Sequence, residues 1–139
     1  DIDGDSYTDI VVASSNGTIY VFNSDGTQKE GWPKTLGSNI YSGITLGDID
    51  NDGKVEIIVG TSSGKLYILL PDGTIKNGWP IALGERVAGI PAIGNVDGNP
   101  GLEIVVSTVT NHLYVFKNSA ELLFEKQLQH LVNNYFVSP

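Results

Sequence analysis

The stretch that decides the fold is DIDGDSYTD at residues 1–9. It returns as DIDNDGKVE at residues 48–56 and, in weaker form, as NVDGNPGLE at residues 95–103. Each copy begins 47 residues after the one before it. Self-similarity at a fixed period of this size is typical of solenoids, propellers and other repeat arrays. The sequence is therefore predicted to be a repeat protein.

Other parts of the sequence keep the same period. Tyr20, Tyr67 and Tyr114 are spaced by 47 residues, and the GWP of residues 31–33 returns at residues 78–80. We divide the sequence into repeats 1–47, 48–94 and 95–139. The third repeat is degenerate and truncated, because it loses the turn and the GWP motif after Phe116. Since the sequence starts and stops in phase with the repeat, we expect it to be a fragment of a longer polypeptide.

The hydrophobic pattern within each repeat predicts short strands. A β-branched run without alternation follows each acidic stretch, which indicates a strand buried on both faces. Second strands are predicted at residues 18–22, 65–69 and 112–116, a third before each Trp-Pro pair, and a fourth at about residues 40–46 and 87–93. Four antiparallel strands per repeat form one blade of a β-propeller. We therefore predict an all-β fold of propeller blades, with strand rather than helix over residues 120–131.

Charge is concentrated in the acidic stretches. The net charge is −8, and ten of the sixteen acidic residues lie at alternating or end positions of the three copies. No basic stripe is present, which argues against nucleic acid as a partner. No apolar run approaches the roughly 18 residues of a membrane span. Cysteine is absent, so disulfides play no part.

The spacing of the acids predicts calcium sites. Ca²⁺ takes six to eight oxygen ligands, often carboxylates together with a backbone carbonyl. Side chains at positions 1, 3 and 5 of a short loop can surround one ion, position 7 can offer its carbonyl, and position 9 can close the site. The simpler alternative is that Asp, Asn and Gly only form turns. The candidate ligands are Asp1, Asp3, Asp5, Tyr7 and Asp9 in the first loop, Asp48, Asp50, Asp52, Lys54 and Glu56 in the second, and Asn95, Asp97, Asn99, Gly101 and Glu103 in the third.

The third loop departs from the pattern. It has amides at positions 1 and 5 and Pro100 at position 6, so it is expected to bind metal more weakly than the other two. Gly4 and Gly53 are expected to permit the sharp turn that the first two loops need.

The residues of the second loop and the Ile57-Ile58-Val59 that follows resemble the FG-GAP/VCBS-type repeat, which builds the propeller head of integrin α-subunits and many prokaryotic surface proteins. The resemblance implies Ca²⁺ bound in loops between the outer elements of a blade, and a role in adhesion, ligand recognition or support of secreted enzymes. The Phe-Gly and Gly-Ala-Pro signatures of the integrin form are not visible. An integrin-like mode of ligand binding is therefore not supported.

Three functional hypotheses remain open. The first is a calcium-binding module of a secreted or cell-surface protein, without enzymatic activity, that binds a protein or carbohydrate ligand and continues into further blades in cis or other copies in trans. The second is an accessory part of a secreted polysaccharide lyase or peptidase. The third is a self-assembling subunit that completes a ring or filament. Trp32 and Trp79 could stack on sugars, but their register favours packing between blades.

Overall fold

The structure, a computed structural model, describes residues 1–129 and contains only β-strands as regular elements within them. The first sheet holds β1 (Ile10–Ala13), β2 (Thr18–Phe22) and β3 (Lys34–Thr35); the second holds β4 (Ile44–Gly47), β5 (Glu56–Gly60), β6 (Lys65–Leu69) and β7 (Ile81–Ala82); the third holds β8 (Ala92–Gly94), β9 (Glu103–Ser107), β10 (His112–Phe116) and β11 (Leu122–Gln127). Nothing in this part of the chain is a helix of the length and apolarity that crossing a membrane requires.

Each sheet is an antiparallel meander in which sequential strands are neighbours. This is the arrangement of a propeller blade, and the prediction of an all-β fold is confirmed. The predicted second strands coincide with β2, β6 and β10. Each complete sheet begins with the last strand of the preceding sequence repeat, since β4 pairs with β5 and β8 pairs with β9. The sheets are therefore offset from the sequence repeats by one strand.

The core lies between the sheets. One buried cluster joins the first two sheets, with Ile19 and Val21 against Ile57 and Val59. A second joins the last two sheets, with Ile58, Leu66 and Ile68 against Ile104 and Phe116. Residues that alternate along β5 and β6 thus enter different clusters. The middle sheet holds the other two together through both of its faces.

Burial differs between the middle sheet and the end sheets. All five residues of β5 are buried, which confirms the predicted burial on both faces for this strand. In β1 the prediction is wrong, because Ile10 is 49% exposed and Val12 is 47% exposed. These two side chains lie on the face of the first sheet that has no neighbouring sheet in the described residues.

The third and fourth strands differ from their predicted places. The predicted third strand before each Trp-Pro pair does not form. Single bridges at Gln28 and Ile75 are followed there by a turn, and β3 and β7 begin after the Trp-Pro pair. Each tryptophan thus lies outside the paired strands, with its indole buried in the core. The fourth strands are shorter than predicted, because continuous pairing begins at Ile44 in β4 and Ala92 in β8. Before β8, Val87 forms only a single bridge, with Thr108.

Each tryptophan connects its own sheet to the next. Trp32 is 5% exposed and donates a 2.8 Å hydrogen bond from Nε1 to the carbonyl of Pro71. Trp79 is 7% exposed and makes the equivalent 3.2 Å bond to the carbonyl of Asn118. The packing role predicted for both residues is confirmed.

The third repeat has Lys126 at the corresponding position, and its outer strand follows a different course. The strand β11 pairs with β10 from Leu122 to Gln127, with a register shift near Phe116. The prediction of strand over residues 120–131 is thus confirmed for its central part. Residues 130 and 131 lie outside the described residues.

The second residue of each loop provides a test of the packing. Ile49 is fully buried between sheets, whereas Val96, at the same position of the third loop, is 49% exposed. We expect Ile49→Ala to lower the free energy of unfolding by about 2–5 kcal/mol, because it leaves a cavity in the core. Val96→Ala should change it by less than about 0.5 kcal/mol. Urea unfolding followed by fluorescence measures both, and equal losses would contradict the packing described here.

Candidate metal-binding site

The three acidic loops lie side by side and are linked by main-chain hydrogen bonds. The amide of Val55 in the second loop donates to the carbonyl of Ile2 in the first, at 3.0 Å. The amide of Leu102 in the third loop donates to the carbonyl of Ile49 in the second, at 2.8 Å. The sites predicted from sequence therefore form one row.

The position of this row corrects one expectation. The second loop connects β4 to β5, and the third connects β8 to β9. β4 and β8 are the strands at which the second and third sheets approach each other, since a Cβ added to Gly47 would lie 2.2 Å from Cδ1 of Ile93. Each of these loops therefore joins the inner strand of its sheet, which faces the neighbouring sheet, to the second strand of the same sheet. The placement between outer elements, which the family resemblance implied, is wrong.

Backbone conformation separates the first two loops from the third. Positions 4 and 6 have positive φ in both: Gly4 and Ser6 at 80° and 74°, Asn51 and Gly53 at 61° and 85°. Each loop thus places one glycine at one of the two strained positions, as predicted. The third loop has Pro100 at position 6, and the proline ring fixes φ at a negative value. Its backbone must therefore follow a different path there.

The side chain at position 1 organises the first two loops. Asp1 accepts hydrogen bonds from the amides of Gly4, Asp5 and Ser6, at 2.7–3.0 Å. Asp48 accepts from the amides of Asp52 and Gly53, at 3.1 and 2.9 Å. These bonds curl the chain so that the alternating carboxylates face one region.

The residue at position 9 closes every loop in the same way. Its carboxylate accepts the amide of position 2: Ile2 to Asp9 at 2.9 Å, Ile49 to Glu56 at 3.0 Å, and Val96 to Glu103 at 2.7 Å. Because this bond joins the two ends of the loop, the closing carboxylate also stands at the inner wall of the candidate site. The residue at position 9 differs between the loops, since the side chain of Asp9 is one methylene shorter than those of Glu56 and Glu103.

The second loop has the arrangement that a cation would complete. One carboxylate oxygen each from Asp48, Asp50 and Glu56 lies within 4.8 Å of the others. Glu56 is fully buried, and its Oε1 has no hydrogen-bond partner in the described residues. Burial raises the pKa of Glu56, against the amide of Ile49, which favours the ionised form. A buried, unpartnered carboxylate oxygen beside two further carboxylates fits a bound cation.

The first loop brings together a different set of carboxylates. Oxygens of Asp1, Asp3 and Asp5 lie within 4.8 Å of one another, and Asp9 is not part of this group. Instead, Lys29 places its Nζ 2.8 Å from Asp3 Oδ2 and 2.8 Å from Asp9 Oδ1. The hydrogen bond from Lys29 lowers the pKa of Asp3, against the opposing effect of burial.

The third loop has amide side chains where the first two loops have carboxylates, at positions 1 and 5. Asn95 accepts the amide of Gly98 at 2.7 Å, and its own amide group donates to the carbonyl of Asn99. Hydrogen bonds from Asn99 lower the pKa of Asp97. Glu103 is buried, and one of its oxygens accepts the amides of both Val96 and Asp97. With only two carboxylates, Asp97 and Glu103, the third loop does not form the close group of three acidic oxygens found in the first two loops.

The remaining predicted ligands lie in the same loops. The side chain of Asp5 accepts the amide of Tyr7, and that of Asp52 accepts the amide of Lys54, both at 2.8 Å. A cavity of about 530 Å³ has Asp3, Lys29, Asp52, Lys54 and Glu56 among its lining residues. It lies between the first two loops and borders Glu56. Gly101 is close-packed, since an added Cβ would lie 2.6 Å from Nδ2 of Asn118.

Sequence reasoning missed the lysines of this site. Lys76 contacts Asp50 as Lys29 contacts Asp3, and the two lysines are 47 residues apart. The repeat itself therefore carried the signal. The spacing alone does not predict an ion pair, because a lysine in a polar hairpin has no fixed partner until the fold brings one close.

Comparisons with known proteins agree with this geometry. Residues 1–59 match the family model described as FG-GAP-like repeat. This part of the chain, which holds the first loop, the first sheet and the second loop, is thus similar to a repeat of the FG-GAP type. A sequence comparison with curated proteins gives no match.

Solved structures support the same fold. The chain resembles BamB from Moraxella catarrhalis with a TM-score of 0.64 and 21% identity, over 85% of this chain and 32% of that one. It resembles BBS1N, solved in complex with ARL6DN, with a TM-score of 0.66 and 14% identity, over 88% of this chain and 34% of that one. Both are β-propeller proteins. The chain spans about a third of the length of each.

Because the pKa of Glu56 is raised, we expect Glu56→Gln to increase stability without metal and to remove stabilisation by Ca²⁺. In metal-free protein, the stability due to protonated Glu56 is complete below the unfolded pKa and is lost as the pH rises through the folded pKa. We expect Glu56→Gln to remove this loss, and so to make the metal-free chain more stable than wild type at neutral pH. The same substitution should abolish stabilisation by Ca²⁺ at the second loop.

Thermal unfolding from about pH 4 to about pH 8, in chelator and in Ca²⁺, measures both effects. Glu125→Gln is the control, because it removes the charge of an exposed glutamate of β11, away from the loops and the cavity. If Glu56→Gln is less stable than wild type without metal and is stabilised by Ca²⁺ to the same extent, Glu56 is not a buried, unpaired charge.

Proposed function

We propose that the chain is a calcium-binding segment of a β-propeller, with the second loop as its principal site. The observation that carries this proposal is the buried, unpartnered Oε1 of Glu56, which lies with oxygens of Asp48 and Asp50 in one cluster. Leaving an ionised carboxylate buried without a partner is costly, and a cation removes the cost.

The kind of oxygen donor favours Ca²⁺. Asp48, Asp50, Asp52 and Glu56 would supply side-chain oxygens, and Lys54 its carbonyl. Ca²⁺ accepts such mixed and flexible sets, whereas Mg²⁺ demands near-octahedral geometry and keeps several of its waters. The first loop would use Asp1, Asp3 and Asp5 with the carbonyl of Tyr7. The third loop, with its amides and Pro100, would bind most weakly.

A bound ion would stabilise the junctions between blades. The loop that would surround it also holds Ile49 in the core, and the carbonyl of Ile49 accepts the amide of Leu102 from the next loop. Energy released on binding metal would therefore strengthen contacts between sheets, as in other proteins in which metal binding is coupled to folding.

The module itself would serve recognition or scaffolding, without enzymatic activity, in a secreted or cell-surface protein. Extracellular Ca²⁺ is high enough to fill sites of modest affinity, which supports that location. BBS1N was solved in complex with ARL6DN and is an example of this fold in a protein assembly. A protein or carbohydrate ligand remains the proposed partner. A role as accessory domain of a secreted lyase or peptidase is the alternative.

Calcium titration of chelator-treated protein by calorimetry tests this proposal. We expect tight binding at the second loop, and free Ca²⁺ at 100 times the dissociation constant should add about 2.7 kcal/mol to the free energy of unfolding for each filled site. Asp50→Asn should remove the strongest binding event. Asp25→Asn is the matched control, because it removes a carboxylate from a turn outside the loops. Absence of binding in wild type would refute the proposal.

The open face of the first sheet favours neighbouring blades as further partners. Ile10 and Val12 lie there side by side with Tyr20 and Phe22 of β2, to which they are register partners. Apolar sheet faces of this kind are normally covered. We propose that they pack against further blades, supplied in cis or by other copies of the chain.

Light scattering over a range of concentrations tests association in trans. We expect the 139-residue chain to self-associate, and Val12→Asp to shift it towards monomer by placing a charge on the open face. Tyr41→Asp adds the same charge at a residue that is 63% exposed and outside the sheets, and should have no such effect. A wild-type chain that stays monomeric throughout would leave packing in cis as the only form of this proposal.

A further inference from the structure

The ammonium group of Lys29 is held inside the first loop by several bonds. Its Nζ lies 2.8 Å from Asp3 Oδ2, 2.8 Å from Asp9 Oδ1 and 3.4 Å from Asn23 Oδ1. The side chains of Lys29 and Asp9 are only 10% and 2% exposed. The backbone amide of Lys29 is also bound, to the carbonyl of Val21 at 2.9 Å. The charge is therefore fixed in place by the first sheet.

This ammonium group provides at position 9 what a cation would otherwise provide, and it also contacts Asp3 Oδ2. The other oxygen of Asp3, Oδ1, is buried without a hydrogen-bond partner in the described residues. Asp9 Oδ2 accepts the amide of Ile2 and Asp9 Oδ1 accepts Lys29, so both oxygens of the closing carboxylate are satisfied. In the second loop only one oxygen of Glu56 is satisfied. The two loops, nearly identical in sequence pattern, thus differ in whether the closing carboxylate needs an ion.

The length of the residue at position 9 explains the difference. Lys76 occupies the same place in the repeat as Lys29, but its one ion pair within residues 1–129 is with Asp50 and not with Glu56. Glu56, longer by one methylene than Asp9, carries its carboxylate into the cluster with Asp48 and Asp50. The corresponding residue of the third repeat is Leu123, so the third loop has no such lysine.

We propose that Lys29 is an internal counter-cation that keeps the first loop closed without metal and lowers its affinity for Ca²⁺, so that the second loop fills first. The lysine of the hairpin and the length of the residue at position 9 together set the affinity of each loop. This inference rests on the proposed calcium binding and adds an order of filling that the acidic pattern does not contain.

Nuclear magnetic resonance can follow each loop separately in the 139-residue chain. The amide of Gly4 donates to Asp1, and the amide of Gly53 donates to Asp48, so each reports on its own loop. During a Ca²⁺ titration we expect the Gly53 signal to change first. The Gly4 signal should change only at a Ca²⁺ concentration about tenfold higher or more, because a fixed positive charge beside the ligands opposes the ion.

Substitution of the lysine should move one transition and leave the other. Lys29→Met keeps the length of the side chain without its charge, and should lower the Ca²⁺ concentration needed at Gly4 by about tenfold with little change at Gly53. It should also make the metal-free chain less stable, because Asp3 and Asp9 lose their partner, and Ca²⁺ should restore part of that stability. Lys65→Met removes the same charge from an exposed position outside the loops and controls for net charge.

A second variant leaves Lys29 in place. Asp9→Glu gives the first loop the longer closing side chain of the second, and should also strengthen binding at Gly4. This variant retains the charges on both partners, so it tests the inference even if Lys29→Met does not fold without metal.

The outcomes separate the two proposals. If neither glycine signal responds to Ca²⁺, the proposed function fails, and this inference fails with it. If Gly53 responds but Gly4 responds at the same concentration, or if Lys29→Met and Asp9→Glu leave the Gly4 transition unchanged, calcium binding stands and the role assigned to Lys29 is wrong.

Discussion

The hydrogen bond that closes each acidic loop is the interaction on which the rest of the molecule depends. It runs from the amide of position 2 to the carboxylate of position 9 and occurs in all three loops. It fixes the start of the loop against the start of the following strand, and in the first two loops the residues that donate it, Ile2 and Ile49, have their side chains in the core between sheets. It also holds a carboxylate at a buried position. The same bond thus lies beside the packing of these loops and fixes the carboxylate on which the proposed ion binding rests.

A buried carboxylate requires a compensating charge, and the first two loops differ in whether the chain itself supplies one at position 9. The first uses an ammonium group of its own chain, because Asp9 is short enough to stay beside Lys29. The second leaves an oxygen of Glu56 without a partner. Two copies of nearly the same motif can therefore have different chemistry, since one methylene decides which neighbour the carboxylate reaches.

Periodic features of the fold could be read from the sequence. The spacing of the acids, the tyrosines and the Gly-Trp-Pro motifs predicted blades, and the pattern at residues 18–22, 65–69 and 112–116 placed the second strands correctly. These features depend on local turn chemistry and on hydrophobic runs. The positions of β3 and β7 could not be read in this way, because a strand of two residues is defined by its partner and not by its own side chains.

The candidate site was predictable in outline for the same reason. The alternating acids and the glycines of the loops gave the row of carboxylates and its turns. The partners of those carboxylates are set by tertiary structure, which brings Lys29 to Asp9 across 20 positions of sequence and Lys76 to Asp50 across 26. The burial of Glu56 depends likewise on sheets that pack on both sides of β5.

The bonds from Val55 to Ile2 and from Leu102 to Ile49 have a mechanical meaning. They join consecutive loops side by side, so the row of loops crosses both junctions between the sheets of the described residues. Separating two blades would break these hydrogen bonds, which lie in loops that a bound ion would make more rigid. Such a row would make the resistance of the array to tension rise and fall with the calcium concentration around it, in the manner of a linear lattice whose units respond to their neighbours.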